Sequence, residues 1–379
     1  MTFGVPLAEI FPWGWANALL HRTRLKLPHL LLLSLFGFIF LGSLLTNKPL
    51  SVLTTFASYL NPLLAFFFVI NCNIKTLHSL ESVLRVLFVG YLVIGVLQTL
   101  GLLTWLSFAF DFLIPRGGAS IFGGGRGVSL LTTEPSRAGI ETVFLYATLC
   151  LTGRLGGRHR ELLFDILVLF FILLVVRSFV ALGFVLLYLG IKRPLFLGLL
   201  IFLSPLIIVL FDDASRSVFI INTILSKASF SQVWEFIFNQ SGFRFISVYS
   251  AYMYGFNELI GLGIGSWQTV AEYSYVYAGF SPEDVPFFVF HHGGGFVSLK
   301  PTAWFALLFL ELGVVFGLLI TGLCLYIGYK EAGRCSAAIL PILGIFLVSV
   351  FLLGAVGTPV PWVCLAMSIR SSLGNRCNN

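Results

Sequence analysis

Arginine and glutamate side chains cluster between residues 114 and 141 of an otherwise apolar chain, in the stretch IPRGGASIFGGGRGVSLLTTEPSRAGIE. Arg126 and Arg137 could bind an anion, because a guanidinium can pair two N–H groups with phosphate oxygens. Glu134 could accept a proton from a hydroxyl group. The proline that follows predicts an extended Glu134, and Ser136 is then expected to cap the next helix. The alternative is an Arg/Glu network that only fixes this segment to its neighbours.

A second segment, residues 212–301, carries further cations. We predict a helix over residues 243–259 with Arg244 in its first turn. The helix dipole disfavours a cation there, so Arg244 suggests an anionic partner, although exposure to solvent would also explain it. Lys300 lies at the end of the segment and adds positive charge. Arg177 lies between two short apolar stretches, where it either faces an anion or extends to the lipid interface.

Histidine and aromatic residues in the second segment are the other candidates for chemistry. The adjacent His291 and His292 could act as bases or proton shuttles, although such a pair is also common as a surface feature. Tyr249, Tyr252 and Trp267 could stack on sugar rings. The same aromatic residues could equally form a belt at the lipid interface.

The composition identifies the environment of these residues. The chain has 379 residues, of which 58% are hydrophobic and 10% charged, and its mean hydropathy is +0.98. A soluble domain usually has about 25% charged residues. These values exclude a cytosolic enzyme, a nucleic-acid-binding protein and a disordered chain. The six cysteines and six histidines lack the spacing of a zinc site, so the cysteines are interpreted as structural.

We therefore predict an all-α polytopic membrane protein with about ten transmembrane helices, since roughly 20 apolar residues cross a bilayer. The predicted spans are 28–46, 50–72, 84–106, 138–153, 162–176, 178–191, 194–211, 302–328, 336–354 and 356–372. The fifth and sixth are short and form a tight pair, or one broken helix.

The positions of the cations predict the orientation of these spans. Fourteen of the 23 Lys and Arg residues fall in short connections on one side: Arg22, Arg24, Lys26, Lys75, Arg85, Arg154, Arg158, Arg160, Lys192, Arg193, Lys330, Arg334, Arg370 and Arg376. By the positive-inside rule this side is cytoplasmic, and so are both termini. The predicted organisation is an N-terminal cytoplasmic or interfacial segment (1–27), a bundle (28–211) with an outer loop (107–137), a large outer loop (212–301), C-terminal spans (302–372) and a cytoplasmic tail (373–379).

Four stretches resemble the O-antigen polymerase and O-antigen ligase superfamily of membrane glycosyltransferases. They are TTEPSRAG (132–139), SFVALGFVLLYLG (178–190) after Arg177, the pattern SGFRF…NELIGLGIGSW (241–267) and ELGVVFGLL (311–319). Each motif is loose, and their common order carries the resemblance, which covers about residues 114–320.

The resemblance implies a bundle similar to GT-C glycosyltransferases, with a large periplasmic loop between two late spans. It implies a glycan donor linked to polyprenyl pyrophosphate, transferred with inversion and without a nucleotide sugar, a metal or another cofactor. Arg126 or Arg137, together with Arg244, would correspond to the two outer arginines of the family. Their implied role is to hold the pyrophosphate as negative charge develops on the leaving group.

Within that superfamily the sequence favours the polymerase branch. Ligases usually carry a histidine near the start of the span with the ELG run, and this chain has Lys300-Pro301-Thr302 there. The implied base is Glu134, with His291 or His292 as second choice. The implied partners are a polyprenyl-pyrophosphate-linked oligosaccharide and the lipid bilayer of a bacterial inner membrane, and a chain-length regulator is left open.

Two alternatives remain. The first is a ligase that transfers glycan to lipid A–core. The second, from a different class, is a transporter or flippase of lipid-linked glycan. Transporters place polar groups near the middle of the bilayer, and Asp165 and Glu311 are the main ionisable residues within the predicted spans.

Overall fold

The computed structural model describes residues 25–102, 127–132, 134–152, 158–196, 198, 223–224, 226, 229, 232, 243–332 and 337–376. These residues form helices and connections without a strand. The helices are α1 (Leu27–Thr46), α2 (Pro49–Asn71), α3 (Ile74–Thr99), α4 (Pro135–Leu151), α5 (Arg158–Phe170), α6 (Phe179–Lys192), α7 (Phe243–Asn257), α8 (Trp267–Tyr277), α9 (Pro286–His292), α10 (Trp304–Ala332), α11 (Leu340–Val348) and α12 (Val360–Arg376). Two π-helical turns, Phe171–Val176 and Ser349–Leu353, extend α5 and α11.

The all-helical class and several apolar membrane-length helices are confirmed. Four described helices, α1, α2, α3 and α10, are long and apolar enough to cross a membrane. Shorter apolar helices cover Phe179–Lys192 and Ala337–Leu353. Most of the predicted span 194–211 lies outside the described residues. The number of ten spans therefore stays a prediction.

The start of α4 differs in one detail from the prediction. Glu134 is extended as expected (φ −151°, ψ 141°), but Glu134 itself occupies the N-cap position. Ser136 was expected to cap this helix, and that prediction is wrong. The proline takes the first helical position, where a missing N–H is tolerated, and this places Ser136 inside the first turn.

Contacts between distant residues define two ends of the bundle. Lys26, just before α1, forms an ion pair of 2.5 Å with Glu331 at the end of α10. Asn47 connects α1 to α2 and donates a hydrogen bond of 2.8 Å to the Leu262 carbonyl in the connection between α7 and α8. We call these the Lys26 end and the Asn47 end. The second part of α10 therefore runs antiparallel to α1.

Helix α10 is sharply broken at Gly313 (φ 71°, ψ −173°). A Cβ atom on Gly317 would lie 2.6 Å from the Phe309 ring, so the two parts of the helix fold back on each other. Lys300, just before the first part, contacts Ser58 in the middle of α2. Glu311, at the end of the first part, accepts a hydrogen bond from Tyr59, so both ends of the first part lie beside the same region of α2. The second part returns to the Lys26 end.

A compact ion-pair network closes the Lys26 end of the α5–α6 pair. The fully buried Asp165 lies 2.9 Å from Lys192 Nζ and 2.8 Å from Arg193 Nε. The Tyr146 hydroxyl donates to Asp165 at 2.6 Å. Lys192 and Arg193 are therefore both paired with Asp165, which the sequence suggested as a possible transport residue. This arrangement supports a structural role for Asp165, because paired buried charges fix the helices that carry them.

We predict that Gly313→Ala destabilises the protein by about 1–3 kcal/mol or more, because the backbone conformation disfavours a side chain and the added Cβ would lie 2.6 Å from the Glu258 carbonyl. Gly322→Ala in the same helix is the matched control, since nothing lies within 4 Å of its added Cβ. The measurement is the temperature at which half of the detergent-solubilised protein loses its monodisperse elution peak. Equal midpoints for the two variants would contradict the structure.

Candidate functional site

Arg244 brings the two chemistry-bearing segments together. Its Nη2 forms an ion pair with Glu134 Oε2, and its Nη1 donates a hydrogen bond of 2.7 Å to Ser136 Oγ. Ser136 and Arg244 are 108 positions apart in the sequence. We call Arg244, Glu134 and Ser136 the arginine cluster.

Two helix N-termini explain the charges in the arginine cluster. Arg244 lies in the first turn of α7, where the helix dipole opposes a cation, and Glu134 lies at the start of α4, where the dipole favours an anion. The ion pair places the Glu134 carboxylate next to Arg244, so the anion offsets the unfavourable cation at the start of α7. The Arg244 side chain is 23% exposed and that of Glu134 40%, so a ligand can reach the pair.

The charges of Arg244 and Glu134 offset each other while they are paired, so an anion would bind Arg244 by displacing the Glu134 carboxylate. Burial lowers the pKa of the Arg244 guanidinium, but arginine starts so high that it remains charged at neutral pH. While Glu134 is paired with Arg244, the carboxylate cannot take up a proton without weakening that ion pair. A phosphate that replaced it on Arg244 would free Glu134 to act as a base.

Arg137 takes part in a different network one turn further along α4. Its Nε donates to Glu141 Oε1 at 3.2 Å, and the Tyr91 hydroxyl of α3 donates to Glu141 Oε2 at 2.6 Å. Only 7% of the Glu141 side chain is exposed. For Arg137 this arrangement favours the interpretation that an Arg/Glu network fixes the segment to the bundle.

The other predicted anion-binding residues contact other parts of the bundle. Arg177 adopts a left-handed conformation (φ 52°) between the π turn and α6, and its Nε donates to the Leu174 carbonyl at 2.9 Å. Lys300 Nζ donates to Ser58 Oγ at 3.1 Å and lies close enough to Glu311 to interact with its charge. Arg126 lies outside the described residues.

The predicted histidine and aromatic residues have different surroundings. His292 is exposed at the end of α9, with its ring 5.3 Å from that of Phe287, and the side chain of His291 lies outside the description. Tyr249 is 41% exposed. The rings of both tyrosines contact two phenylalanines each, but the Tyr252 hydroxyl also donates to a backbone carbonyl at 2.8 Å. Tyr249 is the more exposed of the two. Trp267 begins α8 and is partly buried.

Glu311 lies at the centre of a second polar cluster. The sequence suggested Glu311 only as a possible transport residue. Glu311 is fully buried next to the break in α10. Its carboxylate accepts hydrogen bonds from the Tyr59 hydroxyl at 2.8 Å, the Gly265 N–H at 2.9 Å and the Trp267 N–H at 3.4 Å. Lys300 adds a nearby positive charge. With these donors around it, Glu311 acts as an anchor for the start of α8.

Glycines let the connection between α7 and α8 approach α10 and α2 closely. A Cβ on Gly261 would lie 2.2 Å from the Glu311 carbonyl, and one on Gly265 would lie 2.7 Å from the Val52 nitrogen. Gly263 has φ +94° and donates its N–H to the Glu311 carbonyl at 2.9 Å. This anchor was not predicted from the sequence; the GLGIG spacing (261–265) and a lone glutamate within the apolar run are the signals that could have indicated it.

Comparison with known proteins provides no further assignment, because no family model, no curated protein and no solved structure matches this chain. The resemblance of its motifs to the polymerase and ligase superfamily therefore remains a prediction.

We predict that Glu311→Ala destabilises the protein by about 3–5 kcal/mol, because it leaves the buried Tyr59, Gly265 and Trp267 donors without their acceptor. Glu311→Gln is expected to cost less, since an amide oxygen can still accept the two backbone N–H groups. Thermal unfolding in detergent gives the order, and hydrogen exchange over residues 258–267 reports whether the connection opens. If both variants unfold at the same temperature as the unchanged protein, Glu311 is not the anchor.

Proposed function

We propose that this protein is an integral membrane glycosyltransferase that polymerises lipid-linked glycan repeat units. The observation that supports it is the arginine cluster, in which the two segments that resemble the polymerase and ligase superfamily meet through Arg244, Glu134 and Ser136. A partly exposed guanidinium beside a hydroxyl and a carboxylate suits binding of a pyrophosphate.

The proposed reaction uses these groups in sequence. The pyrophosphate of a polyprenyl-linked donor takes the place of Glu134 on Arg244. A hydroxyl oxygen of the lipid-linked acceptor attacks the anomeric carbon, and the bond from that carbon to the pyrophosphate oxygen breaks with inversion. Polyprenyl pyrophosphate leaves with the electron pair, stabilised by Arg244. The released Glu134 takes the proton of the acceptor hydroxyl, and His291 or His292 is the second candidate for this role.

The proposed membrane topology follows the distribution of cations. It has about ten spans, both termini in the cytoplasm, and the arginine cluster at the periplasmic face of a bacterial inner membrane. The large loop before α10 is proposed to be periplasmic. A chain-length regulator would be a further partner.

A transporter of lipid-linked glycan is the second candidate, and the break in α10 favours it. Transporters often build their substrate sites from interrupted helices with buried polar groups, and Glu311 and Lys300 lie at such an interruption. Against it, the carboxylate of Glu311 already accepts three hydrogen bonds within the protein. Purified protein in liposomes with lipid-linked repeat units separates the two: longer glycans support the enzyme, and translocation without elongation supports the transporter.

The ligase alternative is tested by the lipid-linked product that accumulates when the gene is deleted. Single repeat units on the lipid carrier support a polymerase, because elongation has stopped. Long chains on the carrier support a ligase, because transfer to lipid A–core has stopped.

We predict that Arg244→Ala lowers the rate of polymerisation at least about 100-fold, as loss of a donor to a developing oxyanion commonly does. Glu134→Gln is expected to lower the rate as well, because the amide cannot accept the proton. Arg85→Ala is the matched control, since Arg85 is exposed on α3 outside the arginine cluster. The measurement is the glycan length distribution per folded molecule, and normal lengths for both cluster variants would refute the assignment.

A further inference from the structure

The connection between α7 and α8 exposes a group of large apolar side chains. Leu259, Ile260 and Leu262 are each 57–67% exposed. We call residues 259–262 the loop tip. The sequence placed this stretch in a loop outside the membrane, where such exposure in water would be unfavourable.

The loop tip lies against two membrane-length helices. The Leu262 carbonyl accepts a bond from Asn47 at the connection of α1 and α2, and the Leu259 carbonyl accepts one of 3.2 Å from the Val315 N–H in the second part of α10. Apolar side chains beside these contacts are also exposed, including Leu45 (88%) and Leu50 (75%). The loop tip thus continues an apolar surface that already belongs to candidate spans.

We propose that the loop tip inserts into the acyl-chain region of the bilayer at the Asn47 end, beside α1 and α10. Unbonded backbone groups must stay hydrated, so the apolar side chains of the loop tip enter the lipid while its free N–H groups remain at the level of the lipid headgroups. The carbonyls of Leu259 and Leu262 are bonded within the protein. The exposed Lys48, next to Asn47, marks the level at which a charged head can reach the lipid headgroups.

The occupant is inferred to be bilayer lipid because of this continuity. A second copy of the chain would also cover an apolar surface, but we would then expect the exposed apolar side chains to form a bounded patch around the loop tip. The exposed apolar surface instead extends along α1, in which only 28% of an 18-residue apolar stretch is buried. Helices with so little protein cover are typical of contact with lipid on most sides.

The test places an environment-sensitive NBD label on a single cysteine at Ile260→Cys in a variant without the native cysteines, reconstituted in liposomes. Leu45→Cys is the control for lipid and Glu283→Cys, exposed between α8 and α9, is the control for water. Leu262→Cys provides a second position at the loop tip. Two quenchers are used, a lipid with a doxyl group on its acyl chain and aqueous iodide.

The expected result is a blue-shifted NBD emission at position 260 that is quenched by the doxyl lipid as strongly as at position 45, within about twofold, and is protected from iodide. Quenching by iodide to the extent seen at position 283 would overturn the proposal. A blue-shifted emission that neither quencher affects would also overturn it, because the loop tip would then be covered by protein. Because the readout does not involve glycan transfer, it stands or fails independently of the proposed function.

Discussion

Backbone groups set free by a broken helix must find partners inside the protein, and much of the described structure follows from this constraint at Gly313. In an apolar interior each unbonded group costs several kcal/mol (about 2–7). Val314 N–H donates to the Glu258 carbonyl at 2.9 Å, and the Glu311 carbonyl accepts from Gly263 at 2.9 Å. The broken helix and the connection between α7 and α8 therefore satisfy each other. These backbone hydrogen bonds tie the end of α7 to α10 and so help to fix the helix that carries Arg244.

Three of the ion-pair groups among the described residues, those of Asp165, Glu141 and Glu134, differ in how easily they can exchange partners. Asp165 is fully buried between its cations, and Glu141 is nearly so. The Arg244–Glu134 pair is the most open of the three, with side chains 23% and 40% exposed. Replacing a partner in a buried pair leaves an uncompensated charge at a cost of about 3–5 kcal/mol. Of these three groups, the Arg244–Glu134 pair is the one that can accept an incoming anion with a small desolvation cost, and this distinguishes the arginine cluster from the other two.

Local features of the site could be predicted from the sequence, and long-range ones could not. The extended Glu134 and the helix that begins near Arg244 follow from a proline and from apolar periodicity, and the helix predicted over 243–259 is observed over Phe243–Asn257. The break inside α10 leaves little local trace, because ELGVV reads as a continuous apolar helix. Its position depends on Glu258 and Gly263, about 50 residues away, which only the folded chain brings to it.

Small residues let α7 pack closely against the first part of α10. Ala251 packs with Ala303 and Ala306, and a Cβ on Gly255 would lie 2.5 Å from the Phe309 carbonyl. Small residues at these positions let the two helix backbones approach closely. The predicted outer loop (212–301) and the helix that follows it therefore pack together as a unit through α7 and the first part of α10. Substitutions between residues 243 and 267 act on the stability of that unit as well as on any chemistry, so a loss of activity there identifies a catalytic residue only when it is measured per folded molecule.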